Sequence, residues 1–321
     1  MLNCPTLPDI REAAERIKPY IKRTPVLTGE GLNCMVGAGL FFKCENFQKA
    51  GAFKFRGATN AVFSLPTQKV LRGVATHSSG NHGAALALAA RNRAVKAFVV
   101  MPENSSKVKK EAVAGYGAEI TFCEATLQAR ERTLAKVVEE TGATFVHPYN
   151  DYRIIAGQGT AALELLEEVE NLDVVMAPVG GGGLLSGTAL TVSELSPQTL
   201  VIGAEPEGAD DAYRSMQEGT IVPSVNPHTV ADGLLTSLGD KTFPIIRERV
   251  NEIVTVSDEV IIQAMRHIWE RMKIVVEPSA AVPFGALLEG KINLKGKRIG
   301  IIISGGNVDL GKLPWPSSST S

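Results

Sequence analysis

The sequence predicts an α/β protein made of two doubly wound open-sheet domains with a cleft between them. Three observations carry that reading. Short apolar runs such as Ala97–Met101, Asp173–Ala177 and Ile299–Ile303 lack the polar alternation of a half-exposed sheet, as strands covered on both faces do. Segments of helical periodicity separate these runs, so the strands are mostly parallel and the helices pack on the sheet faces. Glycine- and hydroxyl-rich turns follow several of the runs, at the carboxyl ends where open sheets of this kind bind ligands.

Taken in order, Ile10–Lys18 reads as an amphipathic helix, and Thr24–Leu27 as an extended segment held by Pro25. Leu40–Cys44 is a strand feeding the loop Gly51–Gly57, after which Gly57–Ser64 is helical. The strand Gly73–Thr76 runs into the turn Ser78–Gly83, followed by an alanine-rich helix over Ala84–Arg91. Pro102 ends the buried strand Ala97–Met101, and a basic helix with Lys107, Lys109 and Lys110 stops at Gly115-Tyr116-Gly117. Glu119–Phe122 and Thr144–His147 complete this set of strands, with the helix Thr126–Glu140 between them. A second set holds helix Ala161–Val169, strand Asp173–Ala177, the run Gly180–Gly183, a helix through Leu195 and strand Leu200–Glu205. Ser257 is a sound N-cap with Asp258 and Glu259 in the first turn. Behind it Ile261, Ala264, Met265, Ile268, Trp269 and Met272 lie on one helix face, which is core. Ile299–Ser304 is the last buried strand, and Pro314–Ser321 reads as a disordered tail.

A chain of 321 residues is long enough to bury a core in each domain. Its 33 basic and 34 acidic residues leave a net charge of −1, which argues against a nucleic-acid or membrane-surface partner. No apolar run reaches the ~20 residues of a spanning helix. Met1-Leu2-Asn3-Cys4-Pro5 lacks the basic-then-apolar layout of a secretion signal. Cys4, Cys34, Cys44 and Cys123 have no metal-ligand spacing and read as buried small hydrophobes in a reducing cytoplasm. A cytoplasmic enzyme acting on a small molecule is the leading class.

The stretch Gly51-Ala52-Phe53-Lys54-Phe55-Arg56-Gly57 sets one lysine between two aromatic rings. Loss of water there disfavours the ammonium form, so the pKa falls toward neutrality and the free amine becomes a nucleophile toward an aldehyde. Gly180–Gly183, between a buried strand and a helix, can turn successive N–H groups onto an anion. A flexible turn is the alternative. A dinucleotide site is a rival, because Glu205 ends the next strand, but the third glycine of that pattern falls on Leu185 or Ser186. A single small phosphate fits better.

Ser78-Ser79-Gly80-Asn81-His82-Gly83 offers hydroxyl, amide and backbone donors suited to a carboxylate. Within it Ser79 can lend a proton across a planar intermediate, and Asn81 can bond a phenolate-like oxygen. Ser304-Gly305-Gly306-Asn307 follows the last strand, and a serine hydroxyl there can pair a neutral pyridine nitrogen. The acidic loop Glu205–Asp211 is either a solvated surface or a site for a hard divalent cation.

These motifs, in this order over residues 10–310, resemble the fold-type II pyridoxal-phosphate enzymes, in the serine racemase and serine/threonine dehydratase branch. The resemblance implies the tryptophan synthase β-like fold, with a large domain (1–70 and 150–321), a small closing domain (71–149), and the cofactor in the cleft. It implies that Lys54 carries pyridoxal 5′-phosphate and removes the substrate α-proton, and that Gly180, Gly181, Gly182, Gly183 and Leu184 cradle the phosphate. Phe53 would pack by the ring, Asn81 would bond its 3-hydroxyl and Ser304 its nitrogen. Ser78, Ser79, Gly80, Asn81 and His82 would bind substrate, with Ser79 the acid on the opposite face.

Glu205, the Ala209 carbonyl and Asp211 resemble the cation site of serine racemases, for Mg²⁺, Ca²⁺ or Mn²⁺. Lys49, Lys109 and Tyr116 match positions that bind an activating ATP at a homodimer interface. The resemblance further implies a serine racemase that also dehydrates L-serine. A 3-hydroxyaspartate dehydratase, or a catabolic threonine/serine dehydratase, is the alternative. The hydroxyaspartate enzyme needs a cation for the second substrate carboxylate, from Arg130 or Arg153.

Overall fold

The computed structural model describes residues 4–315. Ten strands form two sheets. β1 (Val26–Leu27), β2 (Gly39–Cys44), β7 (Val174–Pro178), β8 (Leu200–Pro206), β9 (Glu252–Val256) and β10 (Arg298–Ile303) make the larger, in the order β1-β2-β10-β7-β8-β9. β3 (Val74–His77), β4 (Ala97–Pro102), β5 (Glu119–Cys123) and β6 (Thr144–Phe145) make the smaller, in the order β5-β4-β3-β6. Every pairing is parallel except β1 with β2, so helical crossovers cover both faces.

The larger sheet separates two cores. On one face Phe42, Ile299 and Ile301 meet Phe284 of helix Pro278–Leu288 and the stripe Ile261, Ala264, Met265 and Ile268. On the other, Val175, Ala177 and Ile302 meet helices Tyr152–Glu168 and Gly183–Leu195 through Leu165, Leu185 and Val192. The helices on this second face approach unusually closely. A Cβ on Gly157 would come within 2.6 Å of the Gly57 Cα, and one on Gly187 within 2.5 Å of the Gly159 nitrogen. Glycine at these crossings lets helix Lys54–Ser64 seat directly on helix Tyr152–Glu168.

Three sequence expectations need correction. The lysine segment is not a loop leading to a helix at Gly57, because the helix begins at Lys54. Its N-cap is Phe53, which contributes no side-chain acceptor, so the sequence carries no start signal there. Cys4 and Cys34 are exposed, and only Cys44 and Cys123 are buried. Trp315, within the stretch read as a disordered tail, packs edge-on against Trp269 at 5.2 Å, while residues 316–321 lie outside the described part. Among the described residues, no helix is long and apolar enough to cross a membrane.

Candidate active site

A cleft of about 260 Å³ opens between the carboxyl ends of the two sheets. Of the residues singled out from sequence, Phe53, Lys54, Ser78 to His82, Lys109, Arg130, Gly180 to Leu184 and Ser304 all line it. Lys49, Tyr116, Glu205, Ala209 and Asp211 do not, and Arg153 lies outside it as well.

Lys54 is held from two directions. Its loop is sewn to the end of β10, where Phe53 N–H donates to the Ser304 carbonyl and Gly306 N–H to the Gly51 carbonyl, each at 2.9 Å. Gly51 must be glycine, since φ is +70° and a Cβ would lie 2.3 Å from Asn307 Oδ1. The Nζ donates to the Pro148 carbonyl at 3.0 Å and sits 5.1 Å from the Phe53 ring centre. Burial pushes its pKa down to about 8, against a smaller upward pull from the Glu277 carboxylate.

The glycine run is a cradle without room for side chains. A Cβ on Gly181 would strike the Tyr149 ring at 2.3 Å, and one on Gly180 would lie 2.9 Å from the Leu234 Cα. Gly182 caps helix Gly183–Leu195 at φ +83° with no side-chain acceptor. The first N–H groups of that helix therefore need an acceptor from elsewhere, which is what an anion supplies. Thr242 Oγ1 fixes the loop by donating to the Gly181 carbonyl at 2.9 Å. A buried amine of lowered pKa beside an anion cradle fits a phosphorylated aldehyde such as pyridoxal phosphate.

The opposite wall is the turn ahead of helix Asn81–Asn92. Gly80 N–H donates to Ser78 Oγ at 3.1 Å, and a Cβ on Gly80 would meet the Lys109 stem at 2.5 Å. Neither ring nitrogen of the buried His82 has a partner among the described residues. Burial holds His82 well below its ordinary pKa and brings His77 and His147 to about 4. These imidazoles are neutral at physiological pH. Lys109 forms an ion pair with Asp232, joining helix Lys107–Gly115 to the far wall.

Sequence reasoning missed Glu277. It is 3% exposed and lines the cleft, and Asn81 Nδ2 donates to both its oxygens at 2.8 and 3.1 Å. Its only local signal was a carboxylate before Pro278, which reads as an ordinary helix cap.

The acidic loop lies apart from the cleft. Glu205 is fully buried and accepts the Ala212 N–H at 3.2 Å and the Tyr213 N–H. Burial raises Glu205 to about 9 and Asp211 to about 7. Both Asp211 carboxylate oxygens are buried without a partner among the described residues. Among the described residues no group of three or more His, Cys, Asp or Glu side chains is placed to hold a metal ion, there or elsewhere.

Comparison with known proteins agrees with this geometry. The family described as pyridoxal-phosphate dependent enzyme matches residues 17–305. The chain is 56% identical to the beta-hydroxyaspartate dehydratase of Paracoccus denitrificans, over 97% of this chain and 99% of that one. It is 49% identical to the L-threo-3-hydroxyaspartate ammonia-lyase of Saccharomyces cerevisiae, over 95% and 94%. The crystal structure of serine racemase from Dictyostelium discoideum superposes with a TM-score of 0.91 at 52% identity, covering 96% of this chain and all of that one. A tryptophan synthase β-like fold, a lysine and glycine cleft suited to a phosphorylated aldehyde, and relatives matched end to end all lead one way: the chain belongs to the pyridoxal-phosphate-dependent serine racemase and hydroxyaspartate dehydratase family.

Proposed function

We propose that this enzyme dehydrates 3-hydroxyaspartate to oxaloacetate and ammonia. The observation that carries the reading is Arg130, which lines the cleft with no carboxylate partner among the described residues. Its Nε reaches the Thr126 carbonyl at 3.4 Å, leaving the rest of the guanidinium for a ligand. A second substrate carboxylate matches that fork in charge and shape. Arg153 is already spent on Asp151, with bonds of 3.0 and 2.5 Å. The two relatives named for hydroxyaspartate chemistry support the same choice, against the sequence expectation that put serine racemisation first.

Pyridoxal phosphate, when bound, supplies the electron sink for charge developing at the substrate α-carbon. Lys54 would hold it covalently, with Gly180 to Leu184 on the phosphate, Phe53 beside the ring, Asn81 on the ring oxygen and Ser304 by the ring nitrogen. The turn Ser78 to His82 grips the α-carboxylate and Arg130 the side-chain carboxylate. Lys54 Nζ, released when the substrate amine takes its place and steered by the Pro148 carbonyl, would take the α-proton. The β-hydroxyl leaves with a proton as water, and hydrolysis of the resulting enamine gives the keto acid and ammonia.

A substrate panel separates this from serine racemisation, a second reading favoured by the Ser79 hydroxyl in the same cleft. Oxaloacetate formation from 3-hydroxyaspartate should exceed pyruvate formation from L-serine. Arg130→Ala should cut kcat/KM for 3-hydroxyaspartate by roughly 100-fold, the value of a charge-assisted pair, while changing that for serine far less. Equal losses on both substrates would sink the assignment. D-serine formation abolished by Ser79→Ala would favour the second reading.

Residues 71–149 form a small domain that closes on 1–70 and 150–321, and the Lys109–Asp232 pair would tie the two together. The enzyme is a cytoplasmic homodimer. Glu205, the Ala209 carbonyl and Asp211 bind Mg²⁺, or Ca²⁺ or Mn²⁺ in its place. The unpaired Asp211 oxygens support this, because two buried carboxylates side by side are costly without a cation. Saturating Mg²⁺ should raise Tm by about 5 °C, as binding at 100 times Kd adds about 2.7 kcal/mol, and Asp211→Ala should erase the rise. An activating ATP would use Lys49 and Tyr116 outside the cleft. Lys109 would first have to leave Asp232.

A further inference from the structure

The Asn81 side chain is clamped between two partners of opposite hydrogen-bonding sense. Glu277 accepts its Nδ2, and Asn307 Nδ2 donates to its Oδ1 at 3.0 Å. Asn307 is itself fixed, because the same Nδ2 donates to the Ala50 carbonyl at 2.8 Å. An ionised carboxylate only accepts, so it forces the amide nitrogen of Asn81 toward itself and the oxygen toward Asn307. A single N–H shared between the two Glu277 oxygens would leave the second Asn81 N–H for a ligand in the cleft.

Glu277 is oddly placed for a structural carboxylate. It is the N-cap of helix Pro278–Leu288, where a carboxylate ordinarily bonds the free N–H groups of the first turn, yet its side chain makes no cap bond. It turns into the cleft instead. The space is tailored to it, since a Cβ on Gly305 would lie 2.6 Å from Oε1, and its own N–H is anchored to the Gly305 carbonyl at 3.0 Å. The charged groups facing it are Lys54 from helix Lys54–Ser64, Lys109 from helix Lys107–Gly115, and Asp232 from the far wall.

We propose that Glu277 is a positioning residue for the cofactor, locking the Asn81 amide in the orientation that donates to the ring oxygen and setting a negative charge opposite the Lys54 nitrogen. The inference rests on pyridoxal phosphate binding at Lys54 and not on the choice of amino-acid substrate. Burial raises Glu277 to about 7, with Lys109 pulling it down and Asp232 pushing it up, so its charge is adjustable near neutrality. An anion beside a protonated nitrogen favours the protonated form.

The test is a spectroscopic pH titration of the holoenzyme, followed in the visible band of the lysine-linked cofactor. Glu277→Gln keeps the shape and removes the charge. Its titration midpoint should fall by about one pH unit or more, and cofactor loss on dilution should quicken roughly tenfold as the amide lock is weakened. Glu277→Asp, shorter but charged, should restore the midpoint and not the retention. Should the glutamine variant fail to fold, the aspartate variant carries the test alone, since wild-type retention there contradicts the lock. A Glu277→Gln holoenzyme with unchanged midpoint and unchanged cofactor loss overturns the proposal. A protein that binds no pyridoxal phosphate at all, wild type included, would instead overturn the cofactor reading.

Discussion

Replacing Lys54 with alanine should abolish the visible absorbance of the bound cofactor and turnover together. Loss of the α-proton base alone is worth roughly 10²–10⁴-fold, and loss of the covalent anchor adds to it. The fold should survive, because the side chain faces the cleft and its ion-pairing neighbours lie elsewhere in the helix. An unchanged Tm with a colourless, inactive protein is the expected signature. The wild type should also lose activity on the acid side of its pH profile. With burial holding the amine at about 8, the proton-accepting form grows as pH rises through that value, so kcat should climb and level off above it. Retention of color and activity in the alanine variant would remove Lys54 from the mechanism.

The second large effect concerns stability. Two residues beyond Lys54, the fully buried Arg56 donates Nε to Glu45 at 2.7 Å and its terminal nitrogens to Glu164 at 2.8 and 2.7 Å. Lys43, also fully buried, joins Glu164 at 2.7 Å and the Thr24 carbonyl at 2.6 Å. Two cations thus balance two carboxylates inside the protein. Burial acts to raise Glu164, but the bonds and charge of Arg56, with Lys43 behind them, hold it below the usual range.

Arg56→Ala would leave two buried carboxylates facing one lysine. Breaking such a pair costs about 3–5 kcal/mol, so Tm should fall by roughly 10 °C, measurable by calorimetry. Arg56→Lys should recover only part of this, because a point charge cannot hold both carboxylates in the fork geometry. The sign with pH follows from Glu164. Its contribution is present above its unfolded pKa and is lost as pH falls through the lower folded value. A wild-type Tm matched by Arg56→Ala would mean the network stabilises nothing.

The cleft was legible in the sequence because its parts are local. The lysine between aromatic rings, the glycine run and the two hydroxyl turns each sit where a strand meets a loop, and each can be read within a few residues. What stayed hidden depends on contacts between distant segments. Glu277 acquires its role only by meeting Asn81, 196 positions away. The Arg56 network joins positions 104 and 108 apart, and nothing in Lys43, Glu45 or Glu164 alone announces burial. The helix start at Lys54 was missed for a different reason, since tertiary bonds to the Ser304 loop, and not a capping side chain, set it. The proposed preference for hydroxyaspartate over serine likewise rests on where packing puts Arg130, in the cleft wall with only the Thr126 carbonyl bonded to its side chain among the described residues.

The pairing of β2 with β10, with Phe42 opposite Ile301, has a bearing on biosynthesis. A ribosome must make the first of these strands, and nearly everything between, before the second emerges. At elongation rates of about 5–20 residues per second, the nascent β2 edge waits for tens of seconds without its permanent neighbour. Until then it is an open template for wrong pairing. In the proposed site Ser304 meets the ring nitrogen, so the vitamin-derived group would be seated only after translation has passed that late strand.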